Sequence, residues 1–190
     1  MKRIAALLCA LLLLAASCSA LAEETPVFTF RNGVQWDMSP EEVAACEGTP
    51  ADSSREEEIR STLVYNSVQA SKYPAMLGYV FLEHQLKTIS YVIFDVQTED
   101  FIYMKNALAQ VYGASQDVDL LQIAESLAVI CGVDLPDLTQ EELSAGVEYA
   151  CWQLDDGTRI MLYREKSTGE YMAMFYINPN GKASYDVTGL

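Results

Sequence analysis

Few residues of this chain belong to the types that carry out chemistry, and they match no known catalytic motif. His84 is the single histidine, and the cysteines that follow residue 22 are Cys46, Cys131 and Cys151. A Cys–His hydrolase would need one of these thiols to approach His84, because a thiol nucleophile is activated by an adjacent base. The neighbouring Glu83 favours an exposed turn instead. No nucleophile elbow, zinc-protease motif, phosphate loop or EF-hand is present, so we expect a non-catalytic protein without a cofactor or metal.

The three thiols also bear on cross-linking. An odd and sparse set of cysteines does not indicate a disulfide framework, and no pair has C-x-x-C spacing. One bridge between Cys131 and Cys151 is a candidate in an oxidising compartment. Three buried thiols that pack as small apolar residues explain the sequence equally well.

The aromatic and methionine residues near the C-terminus are more informative. In a strand, side chains alternate between the two faces of the sheet. In the last strand this alternation separates two apolar sets, namely Tyr171, Ala173, Phe175 and Ile177 on one side and Met172, Met174 and Tyr176 on the other. The preceding strand likewise places Ile160 and Leu162 opposite Met161 and Tyr163. Both faces of the sheet are therefore apolar in this region.

One of these faces must take the helices, and the other is either covered by a helical insertion or left open. An open face rich in Tyr and Met suits protein recognition, since these side chains give large contact areas and adaptable packing. The contact residues would then be Tyr163, Met172, Met174 and Tyr176. An alternative is a pocket for a small apolar ligand between the sheet and the insertion.

The first 22 residues have the pattern of a secretory signal peptide. Lys2 and Arg3 precede a short apolar stretch, and Ala20-Leu21-Ala22 offers small residues at the positions that signal peptidase reads. A membrane anchor or buried helix is the alternative for this stretch. Cys18 follows a loose lipoprotein-like sequence and offers the one route to a lipid anchor. The sequence thus predicts an exported protein, either secreted or attached to the cell envelope.

The net charge narrows the choice of partner. The chain has 27 acidic and 12 basic residues, a formal charge of −15, and loss of Lys2 and Arg3 with the signal peptide would make it −17. Such an excess repels nucleic acid and anionic lipid surfaces. We expect an extracytoplasmic protein as partner, no nucleic acid, and contact with a membrane only through lipid on Cys18.

The elements of the first half begin with a strand at Val27–Phe30. Ser39 and Glu42 form a capping box at the start of a short helix that Gly48 ends. Residues 52–58 read as a polar connection. Period-two patterns then predict three strands, at 62–69, 76–82 and 86–94.

The second half repeats this order and adds an insertion. Thr98 starts a helix whose apolar stripe contains Phe101, Met104, Leu108 and Val111. Two further helices are predicted within the insertion, about 115–146, with the second capped by Thr139 and Glu142. Three strands follow, at 147–154, 158–164 and 170–177.

These elements predict a single α+β domain over residues 23–190. Two helix-plus-three-strand repeats, about 27–96 and 97–178, would form one antiparallel sheet with helices packed on one face. The helical insertion belongs to the second repeat.

The stretch FRNGVQWDMSPEEVAACEGTP, residues 30–50, resembles the W-G-M-S-x-E-E-V…G-x-P opening of small exported bacterial proteins and lipoproteins, many of them uncharacterised. The order of elements is similar to the beta-lactamase-inhibitor-protein-like fold and to small lipoproteins of outer-membrane assembly. This resemblance implies a duplicated helix-plus-sheet unit that binds proteins rather than catalyses. The sequence departs from the pattern at Asp37, where Gly is usual.

Overall fold

The computed structural model describes residues 29–134, 139–167 and 169–179. The predicted signal peptide, its cleavage after Ala22, the lipid-anchor candidate Cys18 and both ends of the predicted domain lie outside these residues. Only Thr29 and Phe30 of the predicted first strand are described, and Thr29 forms a single antiparallel bridge with Gln35.

The described residues form an α+β fold, as predicted, with one seven-stranded antiparallel sheet and four α-helices. The strands are β1 (Ser53–Glu56), β2 (Arg60–Ala70), β3 (Tyr73–Leu82), β4 (Gln85–Phe94), β5 (Val147–Gln153), β6 (Arg159–Glu165) and β7 (Tyr171–Ile177). The helices are α1 (Pro40–Glu47), α2 (Thr98–Tyr112), α3 (Leu120–Cys131) and α4 (Gln140–Gly146), and one 3₁₀ turn covers Arg31–Gly33.

The strand order is β1-β2-β3-β4-β7-β6-β5, and each neighbouring pair is antiparallel. The four strands β1–β4 follow α1 and form one side of the sheet, the three strands β5–β7 follow α2, α3 and α4 and form the other, and β4 pairs with β7 where the two sides meet. That the two halves are copies of one unit stays a prediction, which superposition of the halves would test.

The two faces of the sheet carry separate apolar clusters. On the face that we call the helix face, Val43 of α1 and Phe101 and Met104 of α2 join strand residues such as Tyr79 and Leu162 in one buried cluster. On the opposite face, which we call the insertion face, α3 covers part of the sheet. Its buried residues Leu120, Ile123 and Ile130 pack with Cys151 and Met161. The insertion is thus an integral layer of the fold.

Local sequence signals explain the helix ends. Ser39 Oγ accepts from Glu42 N at 3.3 Å while Glu42 Oε2 accepts from Ser39 N at 2.8 Å, which confirms the capping box of α1. Thr139 and Glu142 form the same arrangement at α4. At α2 the N-cap is Gln97 rather than Thr98.

Arg60, at the start of β2, attaches the insertion to the sheet. Its guanidinium donates to the carbonyls of Ile130 at 2.7 Å and Val129 at 3.1 Å. These carbonyls belong to the last turn of α3, where a cation is favoured by the helix dipole. Gly132 ends the helix in the left-handed conformation with φ 67°, as its position in the sequence predicts.

The Trp36-Asp37 segment connects the N-terminal part of the chain to the centre of the sheet. Trp36 Nε1 donates to Oγ1 of the fully buried Thr158 at 2.9 Å. Asp37 has φ 63°, in the left-handed region that favours glycine. Its Oδ1 accepts from Lys87 Nζ at 2.5 Å and from Nδ2 of the buried Asn178 at 3.0 Å. The side chain of Asp37 therefore makes contacts that glycine cannot make.

One prediction about the edges of the sheet is wrong. Residues 52–58 are not merely a connection, because β1 pairs with β2 there, with Ser54 opposite Leu63. All four residues of β1 are exposed, so the strand lacks the apolar alternation by which strands are recognised. At the other edge, Gln116 N donates to Cys151 O of β5 at 2.8 Å.

Candidate binding face

Three of the four predicted contact residues are core residues. Met172, Met174 and Tyr176 of β7 are 0%, 6% and 5% exposed and lie in the helix-face cluster. They share that cluster with Met104 and Leu108 of α2. The prediction that these three side chains form an exposed contact face is therefore wrong, because their side of β7 is the side on which the helices pack.

Tyr163, the fourth predicted residue, lies on the other face. It is paired with Ala173 across β6 and β7, so it shares the insertion face with the odd-numbered residues of β7. Its ring lies 6.4 Å from that of Tyr171, centroid to centroid. The four predicted residues are thus divided between the two faces.

The insertion face is only partly covered. The cluster under α3 contains Met161 and Ile177, and Tyr163 and Phe175 pack at its margin. An apolar region extends from that margin across the uncovered part of the sheet. We call this region the open sheet face and define it as Met76, Val92, Phe94, Tyr163, Tyr171 and Phe175.

Strand register places these residues side by side. Met76 pairs with Val92, and Phe94 pairs with Tyr171 at the same end of β4. Phe94 is 56% exposed, whereas the other members of the open sheet face are half-buried. Among the residues that the structure describes, Phe94 is the most exposed aromatic side chain of the sheet, and it lies at the end of β4 on a surface suited to contact.

Negative charge borders this surface. Asp95 follows Phe94, Glu170 precedes Tyr171, and Glu165 follows Tyr163 by two positions on the same face. Burial raises the pKa of Tyr163 to about 12, with smaller contributions in the same direction from Tyr171 and Glu165. The Tyr163 hydroxyl is therefore neutral at physiological pH.

The candidate disulfide does not form, since Cys131 and Cys151 are free thiols. Cys151 packs near Ile123 in the first turn of α3, whereas Cys131 ends that helix. Eight residues of helix separate Ile123 from Cys131, which corresponds to about 12 Å of rise. A disulfide requires Cα atoms within about 7 Å. The alternative of three buried thiols holds for Cys151, whereas Cys46 and Cys131 are partly buried.

The geometry does not favour thiol chemistry at Cys151. Burial raises the pKa of Cys151 to about 12, and burial also raises that of Cys131, so both remain protonated at neutral pH. His84 is exposed in the β3–β4 turn. The strand of Cys151 is three positions across the sheet from β4, or about 14 Å. A His84–Cys151 pair would need a far shorter separation.

A small cavity lies between the sheet and the insertion, where the sequence suggested a pocket for an apolar ligand. Its volume is about 170 Å³, and Ile123, Cys151, Trp152 and Arg159 line it. Ligand pockets are typically about 300 Å³ or larger. This cavity therefore does not support the ligand-binding alternative at that position.

The described ranges contain neither a metal-ligand group nor a membrane-spanning helix. No three His, Cys, Asp or Glu side chains of these ranges come together as a metal-ligand group. None of the helices there has the length and hydrophobicity required to cross a bilayer.

Comparison with protein-family models found no matching family. Comparisons with curated proteins and with solved structures found no match either.

The sequence contained a usable signal for the open sheet face. Alternation places the odd-numbered residues Tyr171 and Phe175 on one side of β7. Phe94 closes the predicted strand 86–94, and Met76 opens the strand before it. Only the pairing of β4 with β7 brings these residues together, and that pairing joins positions about 80 residues apart.

Proposed function

We propose that this chain is an exported, non-catalytic binding protein that contacts an extracytoplasmic protein through the open sheet face. The 56% exposure of Phe94, beside the half-buried Tyr171 and Met76, is the observation that carries the proposal. An exposed aromatic residue on a rigid strand loses little conformational entropy on binding, so it is a suitable anchor for a protein partner.

Charge complementarity defines the partner further. The open sheet face is apolar at its centre and has the carboxylates of Asp95, Glu165 and Glu170 at its border. A complementary protein surface has an apolar centre and basic residues around it. Because the border residues are solvent-exposed or half-exposed, added salt should slow association more than it accelerates dissociation.

Binding to a purified partner tests the proposal. The partner is first captured from the native cell envelope with the wild-type chain, identified by mass and purified. Phe94→Asp is then expected to weaken its binding by about tenfold or more, since loss of an aromatic anchor costs about 2 kcal/mol. Ile59→Asp is the matched control, because Ile59 is also exposed (42%) but lies in the turn between β1 and β2.

The control variant should bind within about twofold of wild type, as expected for a residue outside the interface. Equal losses for Phe94→Asp and Ile59→Asp, or no loss for either, would refute the assignment of the open sheet face. Circular dichroism of both variants excludes unfolding as the cause of a loss.

A further inference from the structure

A second concave site lies on the helix face. It is a groove of about 400 Å³ between the N-terminal segment, the β2–β3 hairpin and the C-terminal half of α2. We call it the helix-face groove. Its main lining residues are Phe30, Arg31, Tyr91, Val111, Tyr112 and Tyr176. The volume lies within the range of sites that bind small molecules.

The walls of the groove are mainly aromatic. The ring of Phe30 lies 5.0 Å from that of Tyr176 and 5.8 Å from that of Tyr91, measured between centroids. Met104 and Met174 contribute thioether side chains. Such a lining accepts a flat aromatic or short aliphatic body, because rings and thioethers make extensive dispersion contacts.

One cation stands at this apolar surface. Among the described residues that line the groove, Arg31 is the single charged one, in a chain of net charge −15. A groove without carboxylates is therefore an exception on a strongly acidic protein. The guanidinium of Arg31 can donate to an anionic ligand, and no carboxylate lines the groove to oppose that ligand.

Buried neighbours hold Arg31 in position. Its Nε lies 3.3 Å from Oε1 of Glu47, whose side chain is 3% exposed. Glu47 also accepts from the hydroxyl of Tyr79 and, at 3.1 Å, from Nδ2 of Asn32. The Arg31 side chain itself is 33% exposed. A guanidinium has five N–H donors, so one that faces Glu47 through Nε retains others for a ligand.

Tyr91 adds a second donor at the groove. Burial raises the pKa of Tyr91, and the hydrogen bond and charge of the nearby Arg31 act in the opposite direction. Both residues line the groove. A guanidinium beside a neutral phenol is a suitable pair for an ionised oxygen acid, because both groups donate and neither carries negative charge.

We propose that the helix-face groove binds a small amphipathic anion. Its aromatic or short aliphatic body lies against Phe30 and Tyr176, and its ionised oxygen acid accepts from Arg31 and Tyr91. This site lies on the opposite side of the sheet from the open sheet face and does not depend on the proposed function.

Two fluorescent probes with one aromatic framework test the proposal on the full chain. 8-Anilinonaphthalene-1-sulfonate carries the anionic group, and N-phenyl-1-naphthylamine lacks it. Wild type should bind the sulfonate about fivefold more tightly than the neutral probe, as expected for one partly exposed ion pair. Raising the salt concentration should reduce that difference.

The first variant blocks the groove. Val111 is 70% exposed, so Val111→Trp can project a larger side chain over the groove without disturbing the core. It should weaken both probes by about tenfold or more, the loss expected when a ligand's apolar contacts are removed. Val133→Trp on the insertion side is the matched control, since Val133 is 60% exposed and outside the groove.

The second variant removes the charge. Arg31→Gln should weaken the sulfonate probe to the affinity of the neutral probe and leave the neutral probe unchanged. If circular dichroism shows that Arg31→Gln is unfolded, the salt dependence of probe binding to wild type tests the role of charge instead. Unchanged binding in Val111→Trp would overturn the assignment of the groove. A wild type with no preference for the sulfonate, or no salt effect on that preference, would overturn the anionic ligand.

A third variant separates this site from the other. Phe94→Asp should leave both probes unaffected, because Phe94 lies on the opposite face. Loss of probe binding in Phe94→Asp, with full binding in Val111→Trp, would assign the probes to the open sheet face and refute the groove.

Discussion

Replacement of Asp37 separates backbone strain from side-chain contacts at one residue. The carboxylate of Asp37 is paired with Lys87 Nζ and with Nδ2 of Asn178, and the backbone has φ 63°. Asp37→Ala removes both contacts and leaves the strain, because a Cβ remains in the left-handed region. Asp37→Gly removes the same contacts and relieves the strain.

The magnitudes follow from exposure. The side chain of Asp37 is 41% exposed and that of Lys87 is 13% exposed, so the ion pair contributes about 1 kcal/mol after screening. The hydrogen bond from the buried Asn178 contributes about 1 kcal/mol more. Asp37→Ala should therefore lower the free energy of unfolding by about 2 kcal/mol. Asp37→Gly should lower it by about 1 kcal/mol, since removing the strain restores about 1 kcal/mol.

Urea unfolding followed by far-ultraviolet circular dichroism measures both values. Asp95→Gly is the control, because Asp95 also has positive φ, 56°, and its carboxylate has no hydrogen-bond partner among the described residues. It should leave stability unchanged or raise it by up to about 1 kcal/mol. If Asp37→Gly is no more stable than Asp37→Ala, the strain assigned to Asp37 is wrong.

Three more predictions concern buried groups and the insertion. The Cys151 thiol should titrate at about 12 when folded and about 8.5 when unfolded, so unfolding releases a proton between these pH values. The free energy of unfolding should then fall by about 1.4 kcal/mol per pH unit above about 8.5. Urea unfolding at pH 8 and 10 measures this decrease. If Cys151→Ala shows the same decrease with pH as wild type, the prediction is wrong. Gly132→Ala should lower the free energy of unfolding by about 1–3 kcal/mol, because a methyl group there would overlap the Arg60 guanidinium and because the φ of Gly132 is left-handed. Amide hydrogen exchange in α3 should accelerate, and unaltered exchange would count against the Arg60 contact. Glu47→Gln should lower the free energy of unfolding by about 2 kcal/mol, because it removes the anionic partner of Arg31. Thermal unfolding measures the loss, and a melting temperature equal to that of wild type would refute this contribution of Glu47.

The helix ends and hairpins could be predicted because their signals are local. The capping boxes at Ser39 and Thr139 each involve residues three positions apart, and the structure confirms both. The β3–β4 turn at Glu83 and His84 has φ values of 49° and 61°, so both residues are left-handed although neither is glycine. Local hydrogen bonds and short connections are sufficient to specify these features.

The contact face could not be predicted because it depends on register. Alternation shows that Met172 and Met174 share one side of β7, but it does not show which side of β6 carries Tyr163. The pairing of Tyr163 with Ala173 settles that question and is a tertiary fact. Val111 illustrates the same limit in a helix, since it belongs to the apolar stripe of α2 and is 70% exposed at the groove.

The strand missed at 53–56 has a related cause. Ser53, Ser54, Arg55 and Glu56 are all exposed, and their pairing with β2 alone makes them a strand. Residues 53–56 therefore lack the alternating apolar pattern from which a strand could be predicted. The prediction of a Cys131–Cys151 bridge is wrong for a geometric reason, because the direction of α3 carries Cys131 away from Cys151. The number of residues between two cysteines does not indicate their distance in space.

The two margins of the sheet have a consequence for self-association. A free strand margin invites another molecule to add its own strand, which is the route to domain-swapped chains and fibrils. Here the margin at β1 is four residues long and carries Arg55 and Glu56, and the margin at β5 is met by Gln116. Growth of the sheet from molecule to molecule by strand addition is therefore disfavoured at both margins.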